Sequence, residues 1–195
     1  MCSSDLRENS NMADLEEGVR LLREALSLLP HGHSNRPSSL SNLANGVLSR
    51  FEQNGNMEDL EEVVRLHREA LSLRPIGHPG RSTSLNNLAN GVLTRFQQSG
   101  DMEDLEEGVR LNREALSLRP IGNPDRSSSL NNLASGVLTR FEQSGDMEDL
   151  EEVVRLHREA LSLLPHGHPN RSTSLNNLAS GVLTRFQQKI GRAHV

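Results

Sequence analysis

The sequence predicts an all-α chain, a right-handed α-solenoid of antiparallel helix pairs, and three observations carry that prediction. The first is an internal repeat. Asp14-Leu15-Glu16-Glu17 returns at Asp59, Asp104 and Asp149, and Phe51 returns at Phe96, Phe141 and Phe186, a period of 45 residues with no insertion or deletion. The second is hydrophobic spacing. Each copy holds two stretches with apolar residues three and four apart, the period of an α-helix. The third is punctuation, because glycine, aspartate and proline fall where helices would end and begin. Self-similarity at this period marks stacked supersecondary units. Gly18 and Gly108 alternate with Val63 and Val153, so a block of two repeats was duplicated.

One copy justifies the elements in order. From Ser84 to Phe96, the apolar residues Leu85, Leu88, Ala89, Val92, Leu93 and Phe96 form one stripe of a first helix. Pro79 suits its first turn, where a missing N–H costs nothing. Gly100 suits the position just past its end. Asp101 then caps a second helix, and Asp104 three residues later resembles a capping box. Leu105, Gly108, Val109, Asn112, Ala115 and Leu116 make the second stripe. Arg119-Pro120 stops that helix, and Ile121 to Asp125 is a turn-rich connector. Glu106, Arg110 and Glu114 read as a solvated face with i, i+4 pairs. Neither helix can bury its stripe alone, so stability is shared among neighbours. Eight helices are expected between Asn11 and Gln188. Gly46, Gly91, Gly136 and Gly181 interrupt the first helices, and close crossing of adjacent first helices would explain them.

Composition removes several functions. No apolar run approaches the ~18 residues that span a bilayer, so no membrane partner is expected. The net charge is −5, and four phenylalanines are the only aromatics. Such a chain is poorly equipped to hold nucleic acid. One cysteine supports neither an internal disulfide nor a cysteine zinc site, and repeats without cysteine fit a cytoplasmic protein. His31 and His33, like His166 and His168, have ligand-like spacing. The equivalent loops carry Ile76 with His78 and Ile121 with Asn123, so the spacing is not kept. No metal and no cofactor are expected. Ser82, Thr83 and Ser84 read as first-turn residues, with no nucleophile elbow and no phosphate loop, so the chain is read as a non-enzyme.

The period lies in the HEAT/armadillo range, above the ~34 residues of a standard tetratricopeptide repeat. The side chains point elsewhere. Leu85, Leu88-Ala89 and Val92 match the large, large–small, large set of a tetratricopeptide first helix, and Ala115-Leu116 with Pro120 match the end of the second. The chain therefore resembles the tetratricopeptide superfamily over nearly its whole length. It is most similar to long-repeat arrays of fungal and actinobacterial proteins, which often adjoin a caspase-like CHAT domain or a nucleotide-binding signalling domain. The aromatic usual in that family's second helix is replaced by Leu22, His67, Asn112 or His157, and Phe96 on an added turn could supply bulk.

The resemblance implies that first helices line a concave surface. Asn42, Asn87, Asn132 and Asn177 would face it, with Asn86, Asn131 and Asn176 beside three of them and Asn45 and Asn90 one turn on. Asparagine is a mediocre helix former, so its recurrence needs a reason. An amide offers donors and an acceptor, and a ladder of them could grip the backbone of an extended peptide, with Arg95 and Arg140 flanking. The other reading is that the asparagines brace neighbouring helices. The implied role is a protein-interaction scaffold. The alternatives are a spacer, or a regulatory arm for an adjacent CHAT-type protease or signalling NTPase. Self-association end to end through unpaired helices is a third.

Residues 1–6 and 189–195 match nothing in the repeat. Met-Cys-Ser-Ser-Asp-Leu and Ile-Gly-Arg-Ala-His-Val can be encoded by strings that are reverse complements over their shared span, which resembles translated sequencing adapter. Such segments are set aside from fold reasoning. Residues 7–188 then form a single solenoid, a fragment of a longer array.

Overall fold

In a computed structural model the backbone is described for residues 3–193 and the side chains for 12–191. Of the segments read as adapter, Met1, Cys2, His194 and Val195 lie outside the described residues. Every element among the described residues is helical: α1 (Ser3–Ser27), α2 (Arg36–Asn54), α3 (Met57–Ser72), α4 (Arg81–Ser99), α5 (Met102–Ser117), α6 (Arg126–Ser144), α7 (Met147–Ser162) and α8 (Arg171–Ala193). The even-numbered elements are the first helices of the repeat, and the odd-numbered are the second. The chain divides into two compact units, one ending at Gly100 and one beginning at Asp101.

Within each unit every helix packs on its neighbours in sequence. In the first unit, Val19 of α1 meets Leu40, Leu43, Ala44 and Val47 of α2, and Val63, Leu66 and Ala70 of α3 complete the cluster. In the second unit Leu130, Leu133, Ala134, Val137, Leu150 and Val154 are buried likewise. Burying one leucine or valine contributes roughly 2 kcal/mol. Leu66, Leu111 and Leu156 are buried although the stripe read from sequence omits them.

Helix ends follow local rules. Gly55, Gly100 and Gly145 take left-handed φ near 70°, and each N–H donates to the phenylalanine carbonyl four residues back at 2.7 Å. A side chain with a Cβ is strained there, so glycine sits at the first helix's end. Asn56, Asp101 and Asp146 cap the second helices, each accepting from the backbone N–H two residues on. Arg36 and Arg126 brace the end of the preceding second helix, donating to the Leu26 and Leu116 carbonyls of its last turn at 3.5 Å and to those of Leu29 and Arg119 just beyond it. Cations suit a helix C-terminus, where orphan carbonyls cluster.

Three expectations are corrected. Pro79 precedes α4 by two residues and sits in the connector, whereas Pro37, aligned with Ser82 and not with Pro79, lies in the first turn of α2. Asp59 and Asp149, aligned with Asp104, turn their carboxylates to arginines of the preceding first helix and so do not act as capping-box residues. Gly46, Gly91 and Gly181 do not mark close first-helix crossings. A methyl on Gly91 would meet Val63, Val64 and His67 of α3 at 3.4–3.7 Å, and one on Gly181 would meet Val153 and Val154 of α7 at 3.5–3.6 Å. Those are ordinary contact distances with the preceding second helix. At Gly46 the Leu22 Cδ1 lies nearer, at 3.1 Å.

Candidate protein-interaction face

Each first helix leaves one polar stripe facing outward. On α4 it comprises Thr83, Asn87, Asn90 and Thr94, spaced i, i+4, i+7, i+11, with Asn87 half-buried and Asn90 exposed. The stripe on α2 is Ser38, Asn42, Asn45 and Ser49, all exposed. On α6 the same positions hold Ser128, Asn132, Ser135 and Thr139, and on α8 Thr173, Asn177, Ser180 and Thr184. None of these side chains is charged. Thr94 and Thr139 turn their hydroxyls onto the carbonyls of Asn90 and Ser135, at 2.9 and 3.1 Å, which leaves the amides as the groups facing out.

The adjacent asparagine of each pair has a different environment, because one residue along a helix rotates a side chain by ~100°. Asn86 is buried, and Asn131 Oδ1 lies 3.1 Å from His157 Nδ1 of α7. Asn112 of α5 donates from Nδ2 to the Asn132 carbonyl at 3.4 Å. Asn176 is exposed, as is much of α8. At the position of Asn131 the first copy has Ser41, whose hydroxyl donates to the Pro37 carbonyl, and the buried His67 Nδ1 is left without a partner. Burial in this apolar seam pushes the His67 imidazole down to about 4 and lowers that of His157.

The flanking arginines are occupied. Arg140 grips Asp149 through two bonds, Nε at 2.9 Å and Nη2 at 2.6 Å, and also meets Glu106 at 3.3 Å. Arg50 grips Asp59 in the same fork, at 3.0 and 2.6 Å. Arg95 donates to Glu61 at 2.9 Å and Arg185 to Glu151 at 2.7 Å. Planar guanidinium matches carboxylate in this way, and each partner stabilises the other's charge. Hydrogen bonds donated by Arg50 hold the Asp59 carboxyl below its usual range, and those that Arg140 donates to Asp149 raise the Arg140 guanidinium. Glu106 thus belongs to a cross-helix pair, where the sequence suggested only a solvated helix face.

The connector histidines serve the turn. Backbone N–H groups of Asn35, Gly80 and Asn170 donate to Nδ1 of His33, His78 and His168 at 3.0–3.1 Å, and Asn123 Oδ1 accepts the equivalent bond from Asp125 at 2.9 Å. Imidazole and amide both place an acceptor at the same reach, which is why His and Asn interchange there. Among the described residues no group of three or more His, Cys, Asp or Glu could hold a metal, and no helix is long and apolar enough to cross a membrane. An open groove of about 1100 Å³ runs between α5 and α7, lined by Glu106, Arg113, Arg140, Asp149, Glu152 and Arg185. Its charges largely neutralise one another, with Arg113 and Glu152 at 2.7 Å.

The fold and this face define a helical-repeat protein that offers a polar surface along its first helices. The tetratricopeptide repeat family model matches residues 38–80 and 126–170. Two crystal structures of kinesin light chain nearly identical TPR-like repeats from Podosopora anserina are similar. One, a single-substitution variant, has 20% identity over 95% of this chain and 86% of that chain with a TM-score of 0.68. The other has 21% identity over 95% and 87%, with a TM-score of 0.66. BtubC (BKLC) from P. vanneervenii also matches, at 20% identity over 94% and 71% and a TM-score of 0.66. A search of curated sequences finds no match. These likenesses support a tetratricopeptide repeat array with an all-α repeat fold. Such repeats generally mediate protein–protein interaction and are typically non-catalytic.

Proposed function

We propose that this chain binds a protein partner through the outward stripes of its first helices, taking up an extended segment by its backbone. The observation that supports the reading is the division within the asparagine pairs. Asn42, Asn45, Asn87 and Asn90 keep their amides at the surface, whereas Asn86 and Asn131 turn to the helix seam. An amide both donates and accepts, so it suits the alternating N–H and C=O groups of an extended chain. Arg95 and Arg140, already paired, act as fixed borders and leave the stripe without net charge. Uncharged contacts release no counterions, so affinity should vary little with salt.

The test is a displayed peptide library panned against the chain, with the dissociation constant of selected peptides measured at low and high salt. The proposal expects binding that weakens at least tenfold in Asn87→Ala/Asn90→Ala and changes little with salt. Absence of any selected peptide, or affinity indifferent to those substitutions, would leave the chain as a spacer.

A further inference from the structure

Asparagine is followed by glycine at three places in the chain, Asn45-Gly46, Asn54-Gly55 and Asn90-Gly91. In such a pair the backbone nitrogen of the glycine can reach the side-chain Cγ of the asparagine, and the bond between them closes a five-membered ring. Glycine has no Cβ to obstruct that approach.

The fold treats the three pairs differently. Asn45-Gly46 and Asn90-Gly91 lie inside α2 and α4, where closing the ring means breaking the helical backbone in mid-element. Asn54 is the last residue of α2, and Gly55 has already left the helix at φ 67°, with nothing within 4 Å of where a Cβ would sit. Both residues are exposed. One backbone bond holds the glycine, from its N–H to the Phe51 carbonyl at 2.7 Å. Helix ends open at little cost in free energy.

The Asn54 amide also serves the joint between α2 and α3. Its Oδ1 accepts from the Asn56 N–H at 2.8 Å, and its Nδ2 donates to Asp59 Oδ2 at 3.4 Å. That buried carboxylate is the one Arg50 grips from α2. At the aligned joint between α6 and α7, Ser144 Oγ accepts from the Asp146 N–H at 3.1 Å, so the bend itself needs no amide.

We infer that Asn54 is a site of intramolecular deamidation and that the product loosens the joint between α2 and α3. The Gly55 nitrogen gives up its proton and bonds to Asn54 Cγ. The Cγ–Nδ2 bond breaks, and the amide leaves as ammonia with the proton that the glycine nitrogen lost. Water then opens the cyclic imide. Attack at Cγ gives aspartate, and attack at the backbone carbonyl gives isoaspartate, whose main chain runs through Cβ. Water is the sole co-reactant. The aspartate has no donor for Asp59 and sets a second carboxylate beside it, competing for Arg50. The isoaspartate lengthens the backbone and draws Gly55 off the Phe51 carbonyl. Ser99 and Ser144, aligned with Asn54, have no amide to lose.

Incubation of the full 195-residue chain in mildly alkaline buffer, followed by peptide mapping with mass spectrometry, tests this. Aspartate and isoaspartate should accumulate at position 54 at least tenfold faster than at positions 45 and 90. In urea the three rates should converge, because the dipeptides are alike and only the fold separates them. Ion exchange should show the aged chain shifted toward the acidic side, a shift that Asn54→Ser abolishes. Asn54→Asp should lower the urea midpoint, whereas Asn54→Ser should keep it near the wild-type value. The inference is overturned if position 54 of the folded chain reacts no faster than the other two, or if Asn54→Asp unfolds at the wild-type midpoint.

Discussion

At the scale of the residue, the seam histidines are the most sensitive reporters of packing. His67 has its imidazole held near 4, well under the ~6.5 of an exposed histidine, because charging it would place a cation among apolar side chains. The unfolded chain takes up its proton as pH drops through 6.5, whereas the folded chain waits until about 4. Stability is therefore full above 6.5, declines between those values and levels off below. The loss from this group is on the order of 3 kcal/mol. Urea unfolding of the wild type and His67→Asn at pH 7 and pH 4.5 checks it, with the variant expected to lose less on acidification. The neighbouring position offers a gain. Ser41→Asn would give the unpartnered His67 Nδ1 the acceptor that Asn131 gives His157, and about 1 kcal/mol of added stability at neutral pH is expected. A lowered urea midpoint would show that the seam has no room for the longer side chain.

At the scale of the element, intrinsic preference and tertiary need disagree at the first-helix glycines. Glycine costs a helix interior about 1 kcal/mol relative to alanine. Around Gly91 and Gly181 a methyl meets its neighbours at ordinary distances, so Gly91→Ala and Gly181→Ala should each raise the unfolding midpoint by that amount. Gly46→Ala should gain less, since the Leu22 side chain must move aside. Thermal unfolding of the three variants ranks them.

The helices themselves were legible in the sequence, because stripes, capping aspartates and terminal glycines act within a few residues. The eight helices among the described residues fall where expected, with α2, α4 and α6 ending at their glycines, but α1 begins at Ser3 and α8 runs to Ala193, outside the Asn11–Gln188 span read from the sequence. What the sequence could not disclose was which helix each polar group faces. Asp149 looks like a capping-box residue until α6 brings Arg140 against it. His33 and Asn123 look unrelated until the turn shows both accepting the same backbone bond. For the candidate site, the recurrence of asparagine was visible, while the split between outward Asn87 and buried Asn86 depends on where the second helix packs.

At the scale of the whole molecule, within each unit every helix borrows stability from its neighbours, as expected of repeats without cores of their own. That arrangement lets a solvent-facing stripe carry residues that helices do not favour, because the buried stripe holds the element in place. On the proposed function, Asn87 and Asn90 serve the partner at a cost to helix stability. The proposed binding role stands or falls on this division of labour between outer and inner asparagines. The most direct measurement pairs urea unfolding with peptide affinity, using a peptide selected on the wild type, in two variants. Asn87→Ala/Asn90→Ala should lose affinity at least tenfold and become more stable, by roughly half a kcal/mol per site. Asn131→Ala should keep its affinity and lose about 1 kcal/mol as the His157 contact goes. The reverse pattern, stability falling with the outer pair and affinity falling with Asn131, would contradict the claim.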